Sequence, residues 1–263
     1  MQLAHLQISA HKIDHIFISH LHGDHYLGLM PLLFSMHLHK RAQELHLYSP
    51  PGLDEIITLQ LKHSKSVLNY KIIFHRFDPS KIQTLLESDV LTVQTIPLVH
   101  KLDCAGFLFK EKIKPRRINK EKLQEGIKLQ HIAALKTGAD IFDDQGNLLY
   151  RNQDLTLPPR PSLSYAYCSD TAWNETMIDQ IRNVDLLYHE ATFLHQDLNK
   201  AIETKHSTAA QAAEIALRAQ VKKLIIGHFS ARYKDLTLLL GEARTYFSPT
   251  ELAIEGTTFT IAD

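Results

Sequence analysis

"KIDHIFISHLHGDHYLGLMPLL" occupies residues 12–33, and its centre, His20-Leu21-His22-Gly23-Asp24-His25, follows directly on the apolar run Ile16, Phe17, Ile18. Six residues supply three imidazoles and one carboxylate, and the two others are small or apolar. His20 and His22 are two apart, so an extended segment points both to one side. Gly23 then allows a sharp turn that brings Asp24 and His25 round toward a second centre. The chain carries 17 histidines, so a single one at a strand end means little. His5, His11, His37, His39, His46, His63, His75, His131 and His195 read as surface or half-buried background. The spacing H-x-H-x-D-H straight after a strand reads as a metal cradle.

Outward from that stretch, strand and helix patterns alternate. Residues 13–19 predict a strand, being short and rich in β-branched and aromatic types. Residues 27–41 carry apolar side chains at helical spacing, 44–49 ("ELHLYS") form a strand stopped by Pro50-Pro51, and 54–68 form a helix. Residues 90–100 and 104–109 are β-rich and fit an antiparallel pair. "SLSYAYCSD" (162–170), "VDLLYHE" (184–190) and "KLIIGHF" (223–229) are three strands that run into polar residues, with helices expected at 208–219 and 235–246. Alternation of this kind implies layered α/β packing with the chemistry at strand ends.

Ligand types recur at those ends. His100 closes residues 90–99, Asp170 closes 162–169 and His228 closes 223–227. With the first motif this makes a set of five imidazoles and two carboxylates, enough for two metal ions bridged by Asp170. Borderline divalent ions take imidazole nitrogen and carboxylate oxygen and leave positions open for water. Two such ions can share one water, lower its pKa and polarise a phosphoryl oxygen.

Bulk numbers narrow the classes. Apolar residues make up 44% and charged residues 22% of 263, as in an ordinary soluble globular protein. No run approaches the roughly 18 apolar residues of a membrane span. The start, "MQLAHLQISAHKID", has no basic segment leading into an apolar core and does not read as a signal peptide. Cys104 and Cys168 cannot build a disulfide framework, so they read as buried structural thiols in a reducing cytoplasm. Lys+Arg and Asp+Glu both total 29, which leaves no global field for nucleic acid. Residues 110–128, however, hold eight basic residues against Glu111, Glu121 and Glu125, a local net of +5. From there to "LPPRP" at 157–161 the stretch reads as an inserted arm, partly helical around Glu121–Leu135, with a turn at "DDQGN" (143–147).

Several further stretches resemble one family. "HLHGDH" is the signature of the metallo-β-lactamase fold. "YHEATF" (188–193), "KHSTAAQAAEIA" (205–216) and "IIGHFSARY" (225–233) are similar to the motifs that mark ribonuclease Z, the endonuclease that trims precursor tRNA at its 3′ side. The resemblance implies an αββα sandwich, one domain over 1–263 with 111–160 as a basic exosite arm. It also implies two zinc ions per subunit, with manganese or iron as alternatives. His20, His22 and His100 would hold one ion, and Asp24, His25 and His228 the other, with Asp170 bridging. Asp24 would act as base on a metal-bridged hydroxide, and His206, oriented by Glu190, as proton donor to the departing ribose 3′ oxygen. Arg232 would hold a phosphate, while Lys112, Lys114, Arg116 and Arg117 would hold the tRNA backbone. Their competing readings are a plain surface arginine and a solvated arm face. A cytoplasmic homodimer is implied, the arm of one subunit reaching over the site of the other.

Two departures from the family pattern are expected to matter. The two strands and loop that ordinarily precede the first helix have no counterpart before "MQLAHLQIS". The arm segment "EGIKLQHIAALKTGADI" (125–141) lacks the Gly-Pro step of the usual tip. The second departure keeps open an alternative reading, a phosphodiesterase for small phosphodiesters or cyclic nucleotides. A non-enzymatic partner subunit is a third reading, disfavoured by the intact ligand set.

Overall fold

The computed structural model describes residues 2–123 and 127–261. Met1, Gln124, Glu125 and Gly126 lie outside the described residues, and with them part of the segment expected to be helical around Glu121–Leu135. The chain divides into two compact units. The larger takes in the described residues up to Glu87, Thr92–Phe109 and those from Ser164 onward; the smaller holds Ser88–Leu91 and Lys110–Leu163.

Two sheets build the larger unit. A three-stranded parallel sheet runs His15–Phe17, Leu45–Ser49, Ile72–Arg76. A seven-stranded sheet runs in the order Thr250–Leu252, Lys223–Gly227, Leu186–Glu190, Ser164–Cys168, Ala105–Glu111, Leu91–Pro97, Thr84–Glu87. The four strands at the start of that order are parallel.

Alternation of side chains puts each sheet between a helical layer and the other sheet. In the small sheet Ile18, Leu45 and Leu47 pack with Leu29, Leu33 and Met36 of helix Leu29–Leu38 and Leu53 and Ile57 of helix Leu53–His63. Its opposite face presents Phe17 and Tyr48, stacked at 4.5 Å, and Phe17 meets Phe107 and Phe109 of the large sheet. The far face of the large sheet buries Ala166, Leu187, Leu224 and Ile226 against Ala209, Ala212, Ala213 and Ala216 of helix Ala209–Arg218. Alanine along one face lets that helix lie close to both the sheet and helix Thr237–Tyr246. The result is an α/β/β/α layering.

Several elements differ from their sequence-based bounds. The helix expected over 54–68 stops at His63, because Lys65 takes a left-handed φ of 51° and turns the chain. Strands Ile72–Arg76, Thr84–Glu87 and Thr250–Leu252 have no counterpart in the sequence reading; they are short, three to five residues each. In the smaller unit the longer described helix is Leu129–Thr137, beside the one-turn Asn152–Leu155, around a small core of Leu135, Ile141 and Leu155, and Asp143–Gly146 forms the turn of the Ile141–Phe142/Leu148–Tyr150 hairpin. Among the described residues no helix is long and apolar enough to cross a membrane.

Candidate active site

Three parallel neighbours deliver one carboxylate or imidazole each at their C-terminal ends. Strand Ser164–Cys168 leads to Asp170, Glu190 is the last residue of Leu186–Glu190, and Lys223–Gly227 leads to His228. Asp170 and His228 leave their strands in the left-handed region, with φ of 58° and 59°. Asp and His tolerate that region better than most residues, and departures of this kind cluster at functional sites. A Cβ on Gly227 would lie 2.7–2.8 Å from the ring carbons Cε2 and Cζ of Tyr188, so glycine alone fits immediately before His228.

The first motif arrives from the small sheet. His20 and His22 sit on extended chain after strand His15–Phe17, and the reversal toward His25 is a one-turn helix, Gly23–Tyr26. The sharp turn expected at Gly23 is present, and it is made without a positive φ there. A Cβ there would come 3.0 Å from Cδ1 of Leu27, an exposed side chain with room to move.

These elements bring seven side chains into one cluster. Ligand atoms of His20, His22, His100 and Asp170 lie within 4.8 Å of one another, as do those of Asp24, His25 and His228. The Asp170 carboxylate joins the groups: Oδ2 is 3.4 Å from His25 Nε2, 3.7 Å from His20 Nε2 and 3.8 Å from His100 Nε2, and Oδ1 is 3.3 Å from His228 Nε2. His22 Nδ1 stands 2.9 Å from His20 Nε2 and 3.3 Å from His100 Nε2. Asp24 is the exposed member, 3.5 Å from His25 with its side chain 73% accessible.

Hydrogen bonds behind the rings decide which nitrogen faces inward. His100 Nδ1–H donates to the Lys205 carbonyl at 2.9 Å, which leaves Nε2 with its lone pair in the cluster. Lys205 itself holds a left-handed φ of 57°. Ser19 Oγ lies 3.0 Å from His20 Nδ1. Thr192 Oγ1 gives its single proton to Glu190 Oε2 at 2.6 Å, so it accepts from His228 Nδ1–H at 3.0 Å. Ser169 Oγ donates to Asp170 Oδ1 at 2.8 Å.

Glu190 is fully buried and is the hub of a second group. Its Oε1 accepts from Thr171 N–H and His206 Nδ1–H, both at 2.7 Å; its Oε2 accepts from Ser207 N–H at 3.0 Å besides Thr192. His206 lies just ahead of helix Ala209–Arg218, whose start is fixed by a capping box between Thr208 and Gln211. The His206 ring stacks on that of His228 at 5.2 Å and tilts against His100 at 4.9 Å.

Protonation follows from these contacts. Burial, reinforced by neighbouring imidazoles, holds His20 down at about 4, so it presents a lone pair at neutral pH. Burial lowers His100 as well. Burial also works against charge on His206, yet the hydrogen bond and charge of Glu190 outweigh it and its pKa is raised. The same balance, with Asp170 and Asp24 as partners, raises His25. Burial would raise Asp170, but the facing His25 and His228 take it well below the usual carboxylate range. Imidazole nitrogens crowded around an anionic carboxylate are a donor set for borderline divalent cations, and the residues fit a metal centre. Cys104 and Cys168 are free and buried, and burial pushes both thiols up, so they are unreactive.

The remaining residues singled out by sequence lie outside the cluster. Arg232 is 3.5 Å from Asp197 and its guanidinium carbon sits 4.9 Å from the Phe193 ring centroid; that ring is 6.3 Å from His206. Lys114, Arg116 and Arg117 join Lys120, Lys136 and Arg160 around a pocket of about 500 Å³ in the smaller unit, with Lys112 outside that lining. Lys114 pairs with Glu111 at 2.6 Å, Arg116 donates to Thr156 Oγ1 at 2.7 Å and Arg117 to the Pro158 carbonyl at 3.1 Å. Sequence reasoning missed Thr192, Ser19, Ser169 and the Lys205 carbonyl. Each lies inside or beside a quoted stretch, Thr192 in "YHEATF" and Lys205 at the start of "KHSTAAQAAEIA", but nothing in the sequence shows which atoms they present.

A metal-ready cluster on the strand ends of an α/β/β/α sandwich defines a metal-dependent hydrolase of the metallo-β-lactamase fold. Solved structures agree on the fold: human tRNase Z, short form, has a TM-score of 0.67 at 22% identity, covering 99% of this chain and 84% of its own. A metallo-β-lactamase fold protein of Bacillus subtilis follows at 0.61 and 19%, covering 94% and 78%. The family model described as Anti-Pycsar protein Apyc1 matches residues 1–115. Ribonuclease Z of Bacteroides fragilis (strain YCH46) is 45% identical over 256 residues, 97% of this chain and 84% of that protein. Ribonuclease Z of Cytophaga hutchinsonii is 46% identical over 241 residues, 92% and 77%. The chain belongs to the ribonuclease Z family.

Proposed function

We propose that this chain is an endoribonuclease that removes the 3′ trailer from precursor tRNA. One observation carries the chemistry: a seven-residue metal cluster and the Glu190–His206 pair share an edge, through Thr192 between Glu190 and His228 and through the stacked rings of His206 and His228. Hydrolysis of a phosphodiester needs an activated water and a protonated leaving group, and the two halves supply one each. Membership in the ribonuclease Z family supports tRNA as the substrate.

His20, His22 and His100 would hold one cation and Asp24, His25 and His228 a second, with Asp170 between them; zinc is the proposed ion, and the same donors accept manganese or iron. Bound divalent cations supply Lewis acidity, lowering the pKa of water and polarising a phosphoryl oxygen. Asp24, solvent-facing, orients the attacking water and takes its proton. As the new O–P bond forms, the P–O3′ bond breaks in line. His206, its pKa raised by Glu190, gives a proton to the departing 3′ oxygen. The products are tRNA with a 3′-hydroxyl and a trailer with a 5′-phosphate.

Arg232 and the basic residues Lys112, Lys114, Arg116 and Arg117 of the 111–160 arm are proposed phosphate contacts, which position RNA without reading its sequence. We further propose a homodimer working in the cytoplasm, a compartment suited to two buried free thiols. The test is a zinc-loaded preparation with a precursor tRNA bearing a 3′ trailer. Expected are the two products above, with affinity that falls as salt rises. A preparation holding metal that leaves the precursor intact while turning over bis(p-nitrophenyl) phosphate would replace this reading with that of a small-ester phosphodiesterase.

A further inference from the structure

A pocket of about 470 Å³ opens beside His206, within the roughly 300–1,000 Å³ of small-ligand sites. Its walls include Trp173, Leu198, Ile202, His195 and Gln211, with His206 itself among the lining residues. Ile202 is 64% exposed, an apolar surface left open next to a polar centre. Trp173 is the one tryptophan of the chain. Its ring is fixed from outside the pocket: Nε1–H donates to Glu175 Oε1 at 3.3 Å, and Arg218 Cζ lies over the ring at 5.7 Å while pairing with Glu175 at 2.8 Å. Trp173 also stands on the same short segment as the catalytic groups. Asp170 enters the metal cluster, Thr171 N–H holds Glu190, and Ala172 N–H is tied to the Val99 carbonyl at 2.8 Å.

The geometry points to this pocket as the seat of a nucleobase, the base of the nucleotide whose 3′ oxygen leaves, with Trp173 as its stacking platform. The assignment rests on His206 as the proton donor proposed above. A proton donor must lie beside the departing oxygen, so a pocket that it lines lies on the leaving-group side of the scissile phosphate. The ribose that carries that oxygen also carries a base one sugar ring away. An aromatic ring held by hydrogen bond and guanidinium, in a pocket also lined by Leu198 and Ile202, offers a π-face and apolar surface to any base. The subsite therefore requires a base and is indifferent to which one.

Two arms test this. In the first, zinc-loaded enzyme cleaves a precursor tRNA and the same precursor with an abasic residue at the last retained nucleotide. The abasic substrate is expected to raise KM roughly tenfold to a hundredfold, the effect of losing one stacked base. Trp173→Ala should abolish that difference and Trp173→Phe should retain most of it, with thermal melts showing both variants folded. A merely structural Trp173 would lower both substrates alike. In the second arm, Trp173 fluorescence is followed while a short RNA ending in a 3′-hydroxyl is added. Quenching by this RNA, and none by its abasic-ended counterpart, is expected. This arm needs no turnover, so it stands even if precursor cleavage fails. Equal KM values for the two precursors, or fluorescence blind to the base, would overturn the proposal while leaving the ribonuclease reading in place.

Discussion

The same three parallel strands end in two different ways. At their N-terminal ends Asp185 is 8% exposed, and its Oδ2 accepts from Ser164 N–H and Oγ–H, both at 2.7 Å, while Lys222 Nζ pairs with Oδ1 at 2.6 Å. At their C-terminal ends Asp170 is 2% exposed and faces four imidazoles, from a backbone held at φ 58°. One carboxylate is satisfied by a cation and donors of the chain itself. The other is surrounded by imidazoles, of which His100 and His228 are oriented by hydrogen bonds at Nδ1, and the set is able to hold a cation. Burial alone does not mark function; the kind of partner does.

Replacing Asp170 by Asn breaks the comparison at its centre. Asn tolerates the left-handed backbone, so the change isolates charge from conformation. Stored metal and most activity should go together: metal per chain after dialysis falls well below the wild-type value. Turnover drops roughly 10⁴-fold or more, since several kcal/mol of charge stabilisation are lost at about tenfold per 1.4 kcal/mol. Full metal content with normal turnover would show that Asp170 is no more functional than Asp185. Glu190→Gln comes next. It puts an amide where Thr171 and Ser207 point N–H groups, and it removes the charge that raises the His206 pKa. The expected loss in kcat is about 10²–10⁴-fold, the contribution of a positioned acid, with metal content kept.

How far the sequence reached follows the same divide. His20, His22, Asp24 and His25 stand out because the spacing itself is improbable. His100, Asp170 and His228 are legible because each ends a β-rich run, and a strand end is where a layered fold collects chemistry. What orients them was not legible. The Lys205 carbonyl is backbone, Ser19 and Ser169 are ordinary serines, and their roles come from how Lys205 turns at φ 57° and how the strands align. Gly23 was legible as a turn, whereas the one-turn helix Gly23–Tyr26 that makes it was not. In the fold, long periodic elements were readable, whereas Thr84–Glu87 and Thr250–Leu252 depend on neighbours already in the sheet.

Thr192→Val sharpens the comparison more gently. Valine keeps the shape and removes the hydroxyl, so His228 Nδ1–H loses its acceptor and Glu190 one of its donors. Loss of an orienting group behind a metal ligand typically costs roughly 10–100-fold in metal affinity or activity. A competition titration against a chelator reads it directly. An unchanged affinity would mean that His228 is oriented by packing alone.

Asp185→Asn gives the smallest effect on activity and the cleanest control, because Asp185 lies at the other end of the same sheet. Turnover at neutral pH should match the parent. Stability should fall by about 1–3 kcal/mol, the cost of disturbing buried hydrogen bonds; the Lys222 pair adds little, since that lysine is 64% exposed. The pH dependence has a definite sign. Burial acts to raise the Asp185 pKa, but Lys222 and Ser164 outweigh it and lower it. A carboxylate depressed in the folded state contributes stability that is complete above its unfolded value, about 3.9, and is lost as pH falls through the folded value. The gap in unfolding free energy between parent and variant should therefore hold from neutral pH down to about 4 and narrow below it. Urea unfolding across that range measures it. Should Asp185→Asn instead depress turnover while leaving stability alone, the two ends of these strands would not be separable, and the contrast between a carboxylate paired within the chain and one in the proposed metal centre would fail.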